Sequence, residues 1–267
     1  MRVQSSPVKL AALELGLPVE TPEKCRTPEF VEMIRSVNAD ALLVAAYGQI
    51  LPTSLLESTK FGAINLHGSI LPLYRGAAPI QRCIQNGDTE TGVTLMKMDK
   101  GMDTGDILSI FKIGIDPDET YTELHHRLAL VAADLAERDL EAVLSGNILP
   151  QAQNHELATY APKVEKAEAE LHFENSVRDE YNRFRAFTSV PGAFVRTKFG
   201  VLKLREVKLA EGAGQPGEAL QVRPELTVAL AGGALKLITV QPEGKPPMAG
   251  SAWANGMRLQ PREIVSN

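Results

Sequence analysis

Asn65, His67 and Asp103 are the polar side chains whose types and spacing could do chemistry. Two of them sit in AINLHGSILPLYRGAAPIQ, residues 63–81. The apolar start, residues 61–66, reads as a strand bounded by turn signals. Residues two apart on a strand share a face, so the Asn65 amide and the His67 imidazole leave the strand end together. In an open parallel sheet, that end is where ligands bind. Asp103 lies in the loop DKGMDTGD, between two further strand-like runs, residues 91–98 and 107–115. Gly101 and Gly105 flank it and allow tight backbone there. Its position after a strand places it at the same carboxyl edge of the sheet. A carboxylate orients a nearby imidazole, and an amide donor can stabilise a developing oxyanion. The set suits acyl transfer in which the attacking nucleophile comes from the substrate. The chain offers no convincing nucleophile of its own. It has no GxSxG elbow, and Cys83 falls within a helical pattern. Ser69 is too close in sequence to His67 to meet it readily as nucleophile and base. On residue type alone Asp106 serves as the acid as well as Asp103. A lone histidine at a strand end is more often structural than catalytic, and DTGD is a common turn.

Metal chemistry finds little support. Of the five histidines, His125 and His126 are neighbours on a helical pattern and point about 100° apart. His67, His155 and His172 form no cluster with Cys at ligand spacing.

The elements that must position the site alternate between strand and helix. Residues 8–15 read as the end of a helix closed by Gly16, followed by a short strand at 17–19. Residues 29–36 look helical, and 41–46 (ALLVAA) read as a strand buried on both faces. Residues 77–85 read as a helix closed by Asn86 and Gly87. Residues 120–145 form a long amphipathic helix, opened by the Thr120/Glu123 capping-box pattern and ended by Gly146. This order predicts an α/β fold with a Rossmann-like, mainly parallel sheet. Residues 147–170 then lose apolar periodicity and read as a linker. Beyond them come one helix, 176–187, and short strands at 193–197, 201–207, 219–223, 226–231 and 234–239. A small β-barrel-like, OB-like domain fits that pattern. The expected division is 1–150, a joining segment 151–169, and 170–267.

The 267 residues are 44% hydrophobic and 23% charged, an ordinary globular composition. No apolar run approaches the roughly 18 residues of a membrane span, and the amino terminus shows no apolar signal core. Cys25 and Cys83 form no CxxC and read as reduced thiols of a cytoplasmic protein. The net charge of −5 is unevenly spread. Residues 1–159 hold 13 Lys and Arg against 21 Asp and Glu, a net of −8, whereas residues 160–267 hold 15 against 12, a net of +3. Within the second part the bases cluster at Arg178, Arg183, Arg185, Arg196, Lys198, Lys203, Arg205 and Lys208. Such a cluster is either a solvated face or a polyanion site.

Four segments carry a resemblance: VAAYGQILP, AINLHGSILPLYRGAAPIQ, TGVTLMKMDKGMDTGDIL and ATYAPKVEKAEAELHF. Together they resemble the methionyl-tRNA formyltransferase family, over essentially the whole chain. The resemblance implies transfer of a formyl group from 10-formyltetrahydrofolate to the α-amino group of methionine on initiator tRNA. It implies that Asn65, His67 and Asp103 are the catalytic residues. It implies that Ser69, Ile70, Leu71 and Pro72 match the folate-binding SLLP, with Ile in place of one Leu. The second domain would then be a tRNA-binding module, with Arg183, Arg185, Lys203 and Arg205 as candidate phosphate contacts. The expected partners are charged initiator tRNA and the folate donor, with no metal and no membrane, for a cytoplasmic monomer. The alternatives are another formyltransferase or a hydrolase using the same donor, on a sugar nucleotide for example, or an inactive chain that keeps only tRNA binding. That last alternative arises at the start, where the family pattern has about 45 further residues, the length of a strand–helix–strand crossover unit. With them missing, the 41–46 strand would become a sheet edge and the 17–19 strand would lose its partner.

Overall fold

A computed structural model describes residues 5–266. Residues 1–4, where the sequence was read for a signal core, lie outside the described residues. The chain begins with helices α1 (Pro7–Glu14) and α2 (Pro28–Ser36), then strand β1 (Leu42–Val44) and the short helix α3 (Thr53–Leu56). Strand β2 (Ala63–His67), helix α4 (Pro79–Gln85), the hairpin β3 (Glu90–Lys97) and β4 (Ile107–Gly114), and helix α5 (Tyr121–Leu144) follow. The four strands form one sheet in the order β1-β2-β3-β4. The α5 start is the expected capping box: Glu123 accepts from the Thr120 N–H at 2.8 Å and from its hydroxyl at 2.7 Å. Hydrogen bonding to Thr120 holds the Glu123 carboxyl below its ordinary pKa. One face of α5, including Leu124, Leu128, Leu135 and Val143, is buried in a cluster with Val93 and Leu95 of β3 and Ile64 of β2.

Three details differ from the sequence reading. β1 pairs parallel with β2, but β2–β3 and β3–β4 are antiparallel. The 22 residues between His67 and Glu90 deliver β3 to the carboxyl end of β2, where Thr94 lies opposite His67, so β3 runs back along it. Second, residues 17–19 form no strand, and α1 before them buries no residue. Third, β1 is shorter than the 41–46 run, and Leu43 is 45% exposed rather than covered on both faces; its place at an edge among the described strands is the one the sequence reading set out.

The second part comprises β5 (Glu170–Leu171), α6 (Val177–Phe187), β6 (Phe194–Thr197), β7 (Gly200–Ala210), β8 (Ala219–Gln221), β9 (Leu226–Leu230), β10 (Gly233–Pro242), β11 (Met248–Ala249) and α7 (Gly250–Gly256). Its sheet runs β5-β6-β7-β10-β9-β8, with β11 also on β10, and curls around a core that includes Phe184, Leu204, Leu237 and Trp253. Alternation along β7 turns Leu202 and Leu204 inward and Lys203 and Arg205 outward. Helix α6 serves both cores. Tyr181 and Phe184 belong to the curled-sheet cluster, whereas Ala186 and Phe187 belong to the cluster under α5.

The segment read as a linker is pinned along its length. Gln151 exchanges two 2.8 Å backbone bonds with Ile107. Farther on, Arg75 N–H donates to Thr159 O, Ala161 N–H to Arg75 O and Ala78 N–H to Ala161 O, at 2.9, 2.7 and 3.1 Å. Arg82 on α4 then grips Glu168 at 2.6 Å and the Pro162 carbonyl at 3.1 Å. The hydrogen bond from Arg82 holds the Glu168 carboxyl below its ordinary range. That shift contributes stability fully present above the unfolded value near 4.5 and lost as pH falls through the lower folded value. Glu168→Gln is expected to cost about 1 kcal/mol at pH 7, a modest figure because Glu168 is 32% exposed and partly screened. In urea melts compared at pH 7 and in strong acid, the difference should close as pH falls through the lowered folded value. An equal difference at both pH values would show that charge is not what Glu168 contributes.

Candidate active site

β2 presents His67 and Asn65 on one face. His67 is 6% exposed, and its Nε2 lies 3.0 Å from the Tyr74 carbonyl. A carbonyl only accepts, so Nε2 carries a hydrogen and donates it. Nδ1 faces Asp103 Oδ2 at 3.7 Å. Asp103 Oδ2 also accepts the Gly76 N–H at 2.8 Å, which aims the carboxylate at the ring. Asn65 is half-buried beside them, and its amide has no side-chain hydrogen bond among the described residues. It is available as a donor.

Asp103 reaches His67 by a different route from the one the sequence suggested. β3 is antiparallel to β2, with His67 opposite Thr94 and Ile64 opposite Lys97. The loop after β3 therefore leaves at the amino end of β2, and it folds back about 10 Å along the sheet, the length of three residues. Asp106 does not compete for the role. It is exposed, and its carbonyl closes the hairpin by accepting from Lys97 N–H at 2.9 Å. Asp99, which sequence reasoning passed over, builds the turn: it accepts from Gly101 N–H at 2.9 Å and from the Thr104 hydroxyl at 2.7 Å. Glycine at 76 is a steric requirement. Its φ is +124°, and a Cβ there would lie 2.7 Å from the Ala161 carbonyl.

The SILP residues split into two pairs. Ser69 and Leu71 are buried: the Ser69 hydroxyl donates to Leu73 O at 2.6 Å, and Leu71 N–H donates to the Thr94 hydroxyl at 3.1 Å. Thr94 in turn donates to Ser69 O at 2.6 Å. These contacts shape the loop from beneath, leaving Ile70 and Pro72 half-exposed on its outer side. Tyr74 fixes the other end, donating to Asp88 at 2.6 Å. Burial, then Asp88, pushes the Tyr74 hydroxyl well above its ordinary pKa. Cys83 is not a nucleophile in waiting: it is buried, and burial pushes its thiol up to about 12.

The basic set divides as well. Arg185 is 4% exposed, with its guanidinium donating to Glu119 O at 3.1 Å and Asn182 Oδ1 at 2.7 Å. Arg183 is committed to Glu180 at 3.2 Å and Glu168 O at 2.8 Å. These two, expected at the surface, are internal struts, because the helix that carries them lies between two cores. Lys203 and Arg205 are exposed on β7. Arg75, Gln153 and His155 also reach the site, and sequence reasoning missed them. Arg75 stood in the quoted motif as a charge among small and apolar residues. Nothing local singled out Gln153.

Fold and site together are those of a two-part group transferase in which Cys83 is buried and the Ser69 hydroxyl is committed to the Leu73 carbonyl. The profile described as "Formyl transferase" matches residues 2–137, and "Formyl transferase, C-terminal domain" matches residues 163–258. The chain is 41% identical over 265 residues to the methionyl-tRNA formyltransferase of Sorangium cellulosum, covering 97% of this chain and 85% of that protein. It is 43% identical over 260 residues to that of Myxococcus xanthus, covering 97% and 83%. Among solved structures, an N-formyltransferase of Helicobacter canadensis, bound to folinic acid and dTDP-3-aminofucose, aligns with a TM-score of 0.67. Its 18% identity, over 88% of this chain and 84% of that one, speaks to the fold alone. The chain belongs to the formyl transferase family, with the methionyl-tRNA formyltransferases.

Proposed function

We propose that this protein transfers a formyl group from 10-formyltetrahydrofolate to the α-amino group of methionine on initiator tRNA, with Asn65, His67 and Asp103 as the catalytic residues. The observation that carries the chemistry is the His67 ring itself. Its Nε2–H is tied to Tyr74 O, and its Nδ1 faces Asp103 Oδ2 at 3.7 Å. As the substrate amine attacks the formyl carbon, Nδ1 takes the amine's proton, and the charge arising on the ring faces a carboxylate; the bond from the formyl carbon to the folate nitrogen then breaks, and the ring returns the proton to that nitrogen as tetrahydrofolate leaves. The Asn65 amide is free to donate to the oxyanion that develops at the same time. The folate supplies an activated one-carbon unit when bound. Ile70 and Pro72 are the SILP side chains placed to touch it, and Ser69 and Leu71 hold their loop.

The 1–150 portion then does the chemistry, and the 170–267 portion meets tRNA, with 151–169 joining them. The reading makes the protein a cytoplasmic monomer that acts away from membranes. Its two cysteines are buried and unpaired, as a reducing compartment leaves them.

The test is a formylation assay with the folate donor, offering methionine-charged initiator tRNA and an amino-sugar nucleotide in parallel. Product on tRNA alone is expected, and product on the sugar alone would replace this reading with the alternative. In the same preparation, Lys203→Gln combined with Arg205→Gln should weaken tRNA binding about tenfold at low salt. The slope of log K on log salt should fall by about 1 to 2, because fewer counterions are released. An unchanged slope would make this strand a solvated face.

A further inference from the structure

We propose that Gln153, gripped by Arg75, is a positioning residue that holds the Asp103 loop in its reacting geometry. The proposal rests on the catalytic reading of Asp103 above. It starts from a buried cation: Arg75 is 2% exposed and pairs with no carboxylate among the described residues. Its Nε and Nη2 donate to Gln153 Oε1 at 3.1 and 2.6 Å, and Nη2 lies 3.1 Å from His155 Nδ1. The other end of the amide, Gln153 Nε2, donates to the carbonyls of Asp103 at 2.9 Å and Gly105 at 2.7 Å. Every donor and acceptor position of the amide that these partners can use is filled. A guanidinium only donates and a carbonyl only accepts, so one orientation of the amide satisfies both ends. The cation polarises the amide and strengthens the bonds it gives.

What Gln153 holds is itself strained. Asp103 has φ +54°, a left-handed conformation that a side-chain-bearing residue keeps only where its surroundings impose it. Three consecutive residues impose it from the other side. Tyr74 O accepts from His67 Nε2–H, the Arg75 side chain grips Gln153, and Gly76 N–H donates to the Asp103 carboxylate. Base, carboxylate and the loop beneath the carboxylate are thus tied to one tripeptide, and Gln153 supplies the link that reaches the loop backbone.

Gln153→Glu is the informative variant, with Gln153→Ala beside it. Glutamate keeps the volume and still accepts from Arg75, but an ionised carboxylate cannot donate to the two carbonyls. Single-turnover formyl transfer should slow about 30-fold in Gln153→Glu, with donor affinity changed less than about threefold, because a misplaced catalytic group costs rate rather than binding. In an Asp103→Ala background the same change should cost less than about twofold, since the group it positions is gone. By amide hydrogen exchange, Gly76 should exchange at least about tenfold faster in Gln153→Glu, while Ala78 and Ala161, bonded independently, stay protected. Wild-type Gly76 exchange, or a rate loss that repeats undiminished in the Asp103→Ala background, overturns the proposal. Full activity of Asp103→Ala by itself would overturn the catalytic reading instead, and Gly76 exchange would still decide whether Gln153 holds the loop. Should Gln153→Ala fail to fold, the isosteric glutamate variant carries the test.

Discussion

His67→Ala is expected to slow the single-turnover transfer of formyl by 100-fold or more while leaving donor binding nearly unchanged. The ring lies at a strand end with Nε2–H donated to the Tyr74 carbonyl 3.0 Å away, so Nδ1 is the nitrogen that takes a proton. Removing it leaves the attacking amine without a base and the Asp103 carboxylate without its partner. General-base catalysis contributes roughly 100- to 10,000-fold. Asp103→Asn should cost less than Asp103→Ala. The asparagine oxygen still accepts from Gly76 N–H, which preserves the loop, but no charge faces the ring. Rapid-quench measurement of product at saturating donor, with donor affinity measured separately, checks both statements. A His67→Ala variant with near-full activity would remove this histidine from the mechanism.

Phe187→Ala is expected to destabilise the protein by about 3 to 5 kcal/mol, the usual cost of emptying a fully buried phenylalanine site. Phe187 is 0% exposed at the end of α6, in one buried cluster with Cys83 and Ile84 of α4, Leu124 of α5 and Phe194 of β6. Those side chains come from both parts of the chain, so the cavity would open at their junction. Set against a typical total of roughly 5–15 kcal/mol, this is a large fraction. Urea unfolding should show it directly. Amides of α4 and α6 should lose protection together, because the two helices pack on each other. A loss below about 1 kcal/mol would mean that α6 is not what joins the two cores.

The comparison of sequence with structure divides along the range of the forces involved. The α5 capping box, the outward Lys203 and Arg205 between inward leucines, and the shared face of Asn65 and His67 were all legible, because period and local hydrogen bonding set them. Most elements beyond residue 25 fell within a few residues of their expected bounds for the same reason. The 17–19 segment was read as a short strand that stood to lose its partner, and it forms none, since a strand exists only where a neighbour completes its hydrogen bonds. The pairing direction of β3 was decided by which end of β2 the closed chain delivers it to, and no local pattern in either strand records that. Which carboxylate meets His67 depended on a hairpin loop folding back along the sheet. Whether Arg183 and Arg185 face solvent depended on α6 lying between two cores, and amphipathic spacing does not reveal a second core. Gln153 is the extreme case. Its importance rests on four hydrogen bonds to residues 48 to 78 positions away, and no window of sequence around it contains them. The sequence by itself determined which residues could do the chemistry and which local elements carry them. The tertiary structure alone decided their partners, because a buried donor or acceptor must be satisfied by whatever the closed chain brings within 3 Å or so, however distant it is in sequence.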